Sequence, residues 1–165
     1  MTWDDFVNEI AQPAFLPWEL LLLRLAGAVL LCGAIGFERE SRDRAAGLRT
    51  HMLIGLAAAL YSLLMLELVS RHDEFPDMVR SDPLRIIEAV TGGVAFLAAG
   101  MIVFSQGKVR GLTTGASMWL AAAIGVSTGI GLWWVALMAT ALALIIIRLM
   151  MVAEKKAFSD DQDDN

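Results

Sequence analysis

The chain has 165 residues, 57% of them hydrophobic, with a mean hydropathy of +0.61 and a formal net charge of −5. That length fits one domain, and that apolarity excludes an ordinary soluble protein of the same size. The acidic balance is concentrated at the two ends, and nothing in it resembles a nucleic-acid footprint, so no nucleic-acid partner is expected.

Residues 1–17 form an acidic N-terminal segment. Its first 16 residues contain no Lys or Arg and carry Asp4, Asp5 and Glu9. A secretory signal needs a basic start, so the first span is expected to be retained rather than cleaved. Five helices are then predicted, at Trp18–Phe37, His51–Val69, Arg85–Phe104, Thr113–Thr128 and Gly131–Met151. A membrane-spanning helix takes about 20 apolar residues, which four of these supply comfortably. The fourth is short and ends in Ser127-Thr128-Gly129-Ile130-Gly131. That turn signal fits a tight hairpin to the fifth helix, with a re-entrant fourth segment as the alternative. Alternation of the kind a strand barrel requires is missing. The fold class expected is therefore an all-α, polytopic transmembrane bundle over residues 18–151, followed by an acidic tail at 152–165 that is expected to be disordered.

Positive charge orients such a bundle. Arg39, Arg42, Arg44 and Arg49 follow the first helix, Lys108 and Arg110 follow the third, and Arg148, Lys155 and Lys156 close the chain. The other side holds Arg71, Arg80 and Arg85. Five spans then put the N-terminus outside and the C-terminus inside, with both arginine-bearing loops in the cytoplasm. Shifting the chain by 64 positions aligns Gly36 with Gly100, Gly47-Leu48 with Gly111-Leu112, Thr50 with Thr114, and Leu56-Ala57-Ala58-Ala59 with Leu120-Ala121-Ala122-Ala123. This fits a parallel internal repeat of helix pairs; biased membrane composition is the competing explanation.

The two loops carry the chemistry. Arg44-Ala45-Ala46-Gly47-Leu48-Arg49-Thr50 leads into the second helix, where Thr50 can cap the first turn and Gly47 permits a close or left-handed turn. Arg110-Gly111-Leu112-Thr113-Thr114 offers a similar corner at the fourth helix. Unpaired helix-start amides beside arginines favour anions, such as a lipid headgroup, a phosphate-bearing ligand or an acidic partner protein. The plainer reading is positive-inside anchoring with ordinary capping. Within the spans, Arg24 and Glu88 are expected to pair where the first and third helices pack, with Glu67 near the same outer level and snorkelling as the plainer account of each. Asp73, Glu74, Asp77 and Asp82 read as a solvated outer loop, although four acids there could attract divalent cations. His51 and His72 lack metal-ligand spacing, and Cys32 reads as a packing residue. Gly36, Gly92, Gly93 and Gly100 are expected to let helices pack closely, within one copy or in a homo-oligomer.

In order along the chain, Glu38-Arg39-Glu40, Arg44-x-Ala46-Gly47-Leu48-Arg49-Thr50, Asp82-Pro83-x-Arg85-Ile86, Gly93-x-x-Phe96-Leu97-x-Ala99-Gly100, Val109-Arg110-Gly111-Leu112-Thr113-Thr114 and Ser117-x-Trp119-x-x-Ala122-Ala123-Ile124-Gly125 resemble the MgtC/SapB family of bacterial membrane proteins. The resemblance covers about residues 18–150. It implies a multi-pass protein of the bacterial inner membrane, linked to growth under low magnesium and, in pathogens, to survival inside host cells. Some members look like regulators that restrain the ATP synthase or alter phosphate handling, and magnesium transport has long been presumed for the family. The chain departs from the family pattern at Gly115, where Ala is more usual, and at Glu88. It ends soon after the last span, so the soluble C-terminal domain of longer members is expected to be missing. The expectation is a non-enzymatic regulator with no cofactor, partnered by the bilayer and by an anionic ligand or another membrane protein. Its contacts are expected at Glu38, Arg39, Glu40, Arg44, Gly47, Arg49, Thr50, Arg110, Gly111, Thr113 and Thr114. A small oligomeric transporter of magnesium or another cation is the alternative.

Overall fold

The computed structural model describes residues 14–71, 83–105 and 108–163, together with Thr2, Trp3 and Val7. Most of the acidic N-terminal segment, His72, and the acids at 73, 74, 77 and 82 lie outside the described residues. Five long helices form an all-α bundle: α1 (Trp18–Glu40), α2 (Leu48–Ser70), α3 (Pro83–Met101), α4 (Leu112–Ile130) and α5 (Trp133–Asp163). Three segments, Trp18–Glu40, Leu48–Ser70 and Leu84–Met101, are long and apolar enough to cross a membrane, and Trp133–Leu149 is a shorter apolar run.

Each boundary has a local cause. Pro17 opens α1, its carbonyl accepting from the Leu20 and Leu21 amides at 3.0 and 3.1 Å, and Glu19 lies in the first turn, where the helix dipole favours an acid. Helix α2 starts three residues earlier than expected, at Leu48. Its first amide donates to Glu40 Oε2 at 2.7 Å, so the cap comes from the end of α1 and Thr50 lies inside the helix. Pro83 opens α3, at a position where the missing N–H costs nothing. That helix stops at Met101 rather than Phe104. The β-branched and aromatic residues that follow pair instead as a short antiparallel hairpin, β1 (Val103–Ser105) with β2 (Lys108–Arg110), in the register Val103↔Arg110.

Gly111 then turns the chain into α4 with φ +87°, and Gly131 turns it out again with φ +89°. At the second turn the Leu132 amide donates to Ser127 O at 2.7 Å and the Gly131 amide to Thr128 O at 3.0 Å. This is the paired closure of a Schellman cap, so the helix end is satisfied and the hairpin to α5 needs no loop. Gly131 is the cap residue and not the first residue of α5. Helix α5 continues through the segment expected to be a disordered tail, because Ala153-Glu154-Lys155-Lys156-Ala157 are all strong helix formers.

Helix α4 is the axis of the bundle and touches all four other helices. Its 19 residues give about 28 Å of helix, close to the thickness of a bilayer core. Small residues let its neighbours approach. A Cβ on Gly125 would strike the carbonyl of Gly55 and lie 2.8 Å from Ala58 Cβ, and one on Gly129 would lie 2.7 Å from both Ala59 O and Ser62 Cβ. A Cβ on Gly55 would in turn strike Cys32 Sγ. Helices α1, α2 and α4 therefore meet almost backbone to backbone around Ala28, Cys32, Ala58, Ala121 and Ile124, all buried. The hydroxyls of Ser62, Thr128 and Thr140 point back to carbonyls of their own helices at 2.7–2.9 Å, which removes the cost of burying them.

Helix α3 packs less completely, against one side of α4 and a short stretch of α2. Gly36 packs as expected: a Cβ there would lie 2.8 Å from Leu48 Cα and 2.9 Å from Gly47 O. A Cβ on Gly92, Gly93 or Gly100 would meet nothing within 4 Å, so the narrow face of α3 is open within one copy. An apolar groove of about 530 Å³ separates α2 from α3, with Ala57 and Tyr61 on one wall and Val90 and Leu97 on the other.

Candidate functional site

Chain direction places the turn at 41–47, the β-hairpin, the start of α4 and the second half of α5 at one end of the bundle. Helix α1 runs antiparallel to α4, so Arg39 meets Thr114 near the start of α4 and Arg24 meets Gly129 near its end. The arginine-rich end thus gathers Arg39, Arg42, Arg44, Arg49, Arg110 and Arg148.

Two polar constellations are built there, both on the last turn of α1. Glu38 is buried at 6% exposure, yet both of its oxygens are used. Arg42 Nη2 lies 2.8 Å from Oε1 and Arg148 Nη2 lies 3.6 Å from Oε2. The first pair is local, one turn apart on the same helix. The second ties α5 to the end of α1, across chain positions that share no sequence motif. Glu40, one position past Arg39, serves the α2 cap, and a Cβ on Gly47 would lie 2.6 Å from its Oε2. Gly47 is therefore needed for closeness; its backbone is extended, at φ −106°.

The second constellation is an uninterrupted chain of buried contacts. Arg39 Nη2 donates to Thr114 Oγ1 at 3.0 Å. The Ser117 hydroxyl lies 2.8 Å from Thr114 O and 3.0 Å from His51 Nε2. His51 Nδ1 lies 2.9 Å from Gly47 O, and because a carbonyl only accepts, that nitrogen carries a proton. The single Ser117 proton donated to Thr114 O is then shared with Nε2 when the ring is neutral. Five residues on α1, α2 and α4 and in the turn between the first two are thereby locked in one arrangement. Arg39, His51, Thr114 and Ser117 are each 7% exposed or less.

Arg49, Arg110 and Thr113 are exposed around this cluster, as is Arg44, whose backbone amide donates to Arg39 O at 3.2 Å. Thr50 is half-buried, and Gly111 forms the left-handed turn that starts α4. The structure therefore divides the residues expected to act together. Glu38, Arg39, Glu40, Gly47 and Thr114 are built into the end of the bundle, while Arg44, Arg49, Arg110 and Thr113 stand around it. His51 and Arg148 lie outside the motifs, and Ser117 lies in one without having been assigned a contact. Their signal was a polar residue at the edge or inside an apolar run, which says that a partner is needed without saying which.

The expected Arg24–Glu88 pair does not form. Helices α1 and α3 are separated by α4, and Glu88 is exposed on α3. Arg24 Nη1 instead donates to Gly129 O at 2.8 Å. The guanidinium reaches Gly131 as well, since a Cβ there would lie 2.8 Å from Arg24 Nη2. The charge is satisfied by the carbonyl end of α4, where the helix dipole favours a cation. Glu67 binds Arg71 at 2.7 Å and accepts the Phe15 amide at 2.7 Å, tying the N-terminal approach to the far end of α2. Among the described residues, no group of three His, Cys, Asp or Glu side chains is arranged to hold a metal ion.

Comparison with known proteins matches the profile of the MgtC family to residues 25–156. An Escherichia coli (strain K12) protein named "Putative magnesium transporter YhiD" is 38% identical over 133 residues, covering 78% of this chain and 59% of that protein. The Brucella abortus (strain 2308) protein named MgtC is 42% identical over 129 residues, covering 76% and 49%. An uncharacterised Synechocystis protein, slr0014, is 37% identical over 128 residues, covering 78% and 51%. The chain thus spans about half the length of the curated relatives it matches. No solved structure matches.

Proposed function

The chain belongs to the MgtC family, and we propose that it is a non-enzymatic regulator in the bacterial inner membrane that acts under magnesium limitation. In this reading its arginine-rich end faces the cytoplasm and contacts an anionic ligand or a partner membrane protein. The observation that carries it is the division of labour at that end. A buried chain from Arg39 to His51 holds α1, α2 and α4 in register, while Arg44, Arg49 and Arg110 stand exposed around it. A rigid support under exposed arginines suits recognition, because the geometry is set before the ligand arrives. The six arginines at one end support the cytoplasmic assignment by the positive-inside rule.

Arg49→Ala and Arg110→Ala, in a strain lacking the chromosomal copy, test the reading. Both proteins are expected to insert normally and to lose growth under low magnesium; full complementation by both would refute it.

The name of the E. coli relative favours a second reading, a small oligomeric transporter for magnesium or another cation. The open glycine face of α3 fits an oligomer, since small residues let helices of separate copies approach. Purified protein in liposomes would then move magnesium, and a lack of flux at useful protein density removes this reading.

A further inference from the structure

Helix α4 receives an arginine from α1 at each of its poles, and the two are treated in opposite ways. Arg24 lies at the carbonyl end, which carries about half a negative charge, and it is bonded there. Arg39 lies at the amide end, which carries about half a positive charge, and the two repel. Gly111 offers α4 no side-chain cap, so the first-turn amides look for an acceptor outside the helix.

Arg39 has the same need. It is 94% buried, taking its 6% exposure from unity, yet no carboxylate among the described residues pairs with it. Glu38 is taken by Arg42 and Arg148, and Glu40 by the α2 cap. Its Nε is the one buried side-chain nitrogen or oxygen among the described residues without a hydrogen-bond partner. Nε and Nη2 form the side-on edge of a guanidinium, which suits two oxygens of a single anion. Of that edge only Nη2 is met, by Thr114 Oγ1, a neutral acceptor on the third residue of α4. Arg44 adjoins Arg39 from the turn, its backbone amide donating to Arg39 O at 3.2 Å. A buried cation, a second cationic residue and a positive helix pole meet here, and none of the described carboxylates pairs with Arg39.

We propose that this corner binds a phosphate group, held by the Nε–Nη2 edge of Arg39, the first-turn amides of α4 and the guanidinium of Arg44. Thr114 Oγ1 already holds Nη2 of that edge in place. The proposal rests on the reading of this end as a ligand-contacting surface, and it names the chemistry and the residues. The phosphate comes either from an anionic lipid headgroup or from a soluble phosphate.

The test uses the full chain in nanodiscs, read by tryptophan fluorescence during thermal unfolding. One arm adds inorganic phosphate to phosphatidylcholine discs, with chloride at equal ionic strength as the comparison. The other replaces phosphatidylcholine by phosphatidylglycerol without added phosphate. A rise in Tm in the first arm identifies soluble phosphate, and a rise in the second alone identifies the lipid headgroup. Arg39→Gln is expected to weaken the response about tenfold or more, since it removes hydrogen bonds from a charged donor. Because Arg39 is buried, Arg44→Gln is run alongside as an exposed change that leaves the fold intact and is expected to weaken the response severalfold. Arg85→Gln, at the opposite end, is expected to respond as the parent does. No rise in either arm, or an unchanged response in both Arg39→Gln and Arg44→Gln, overturns the proposal. Loss of binding in these variants with full growth under low magnesium leaves the site standing and refutes the regulator reading. An unchanged response in both Arg39→Gln and Arg44→Gln, together with lost growth in Arg49→Ala and Arg110→Ala, does the reverse.

Discussion

Gly125→Ala measures how much of this fold rests on backbone contact between α2 and α4. The added methyl group would strike the carbonyl of Gly55, lie 2.8 Å from Ala58 Cβ and lie 3.0 Å from Gly55 Cα. Carbon atoms pack best at about 3.5–4.0 Å, so the helices must separate by roughly 1 Å there. Overpacking of this kind costs about 1–3 kcal/mol, and the obstacle is backbone, which cannot rotate away. Gly92→Ala is the matched control: also glycine to alanine inside a helix, but with nothing within 4 Å of the new atom. The gain in helix propensity, about 0.5–1 kcal/mol, is common to both and cancels in the comparison. Gly125→Ala should therefore be about 1–3 kcal/mol less stable than Gly92→Ala. At about 2–4 °C per kcal/mol for a chain of this size, Tm should differ by roughly 2–12 °C. Circular dichroism of detergent-purified protein provides the measurement. Equal Tm values, or a higher one for Gly125→Ala, would refute the close-contact reading.

Arg24→Gln should lower stability by about 1.5–3 kcal/mol, because it removes a charged donor from the end of α4; Glu88→Gln should change it by less than about 0.5 kcal/mol, and thermal unfolding of the pair checks both. His51→Leu should cost about 0.5–1.5 kcal/mol for each of the two ring hydrogen bonds lost, since Gly47 O and the Ser117 hydroxyl each keep a second partner, and a double-mutant cycle with Ser117→Ala should show a non-zero coupling for the 3.0 Å contact. Glu40→Ala removes the α2 cap at a cost of about 0.5–2 kcal/mol, and faster hydrogen exchange at the Leu48 amide would locate the loss. Cys32, fully buried, should resist a water-soluble maleimide in the folded protein and react on unfolding, a result that mass spectrometry reads directly.

The architecture was legible where one physical pressure dominated. Continuous apolar runs of spanning length placed four helices, and Ser127-Thr128-Gly129-Ile130-Gly131 marked the turn between α4 and α5, although Gly131 proved to be the left-handed cap and not the start of α5. Boundaries shifted where a side chain distant in sequence decided the matter. Glu40 starts α2 at Leu48 from eight residues away, which no propensity at Thr50 could reveal. Arg24 was read as needing a partner but given the wrong one. Glu88 is exposed on α3, and α4 offers Arg24 one of its own carbonyls. A carboxylate is visible in a sequence as a partner; a helix end is not. The same blindness hid the bond from His51 to Ser117, whose 66-residue separation becomes a 3.0 Å contact only once α2 and α4 pack side by side. Gly92, Gly93 and Gly100 show the converse: their smallness was plain, but whether a partner uses it depends on the neighbours of α3.

The two poles of α4 explain why function should concentrate at one end of an otherwise uniform helical bundle. At the Gly131 pole the carbonyls of Ser127, Thr128 and Gly129 receive the Leu132 amide, the Gly131 amide and the Arg24 guanidinium, and the chain leaves directly into α5. At the Gly111 pole the fold stops short. The helix starts without a side-chain cap, Arg39 is buried with a free Nε, and further arginines surround it. A fold that only needed to be stable could replace Arg39 with an apolar residue of similar length, since burying a cation without a counter-charge costs several kcal/mol. Keeping the cation there is useful if an anion completes the site. Arg39→Met separates the two possibilities. If Arg39 is structural, the variant should lose stability with the Thr114 bond and show no phosphate dependence to lose. If it waits for an anion, the variant should be as stable as the parent or more so in chloride, and its Tm should no longer rise with phosphate or anionic lipid.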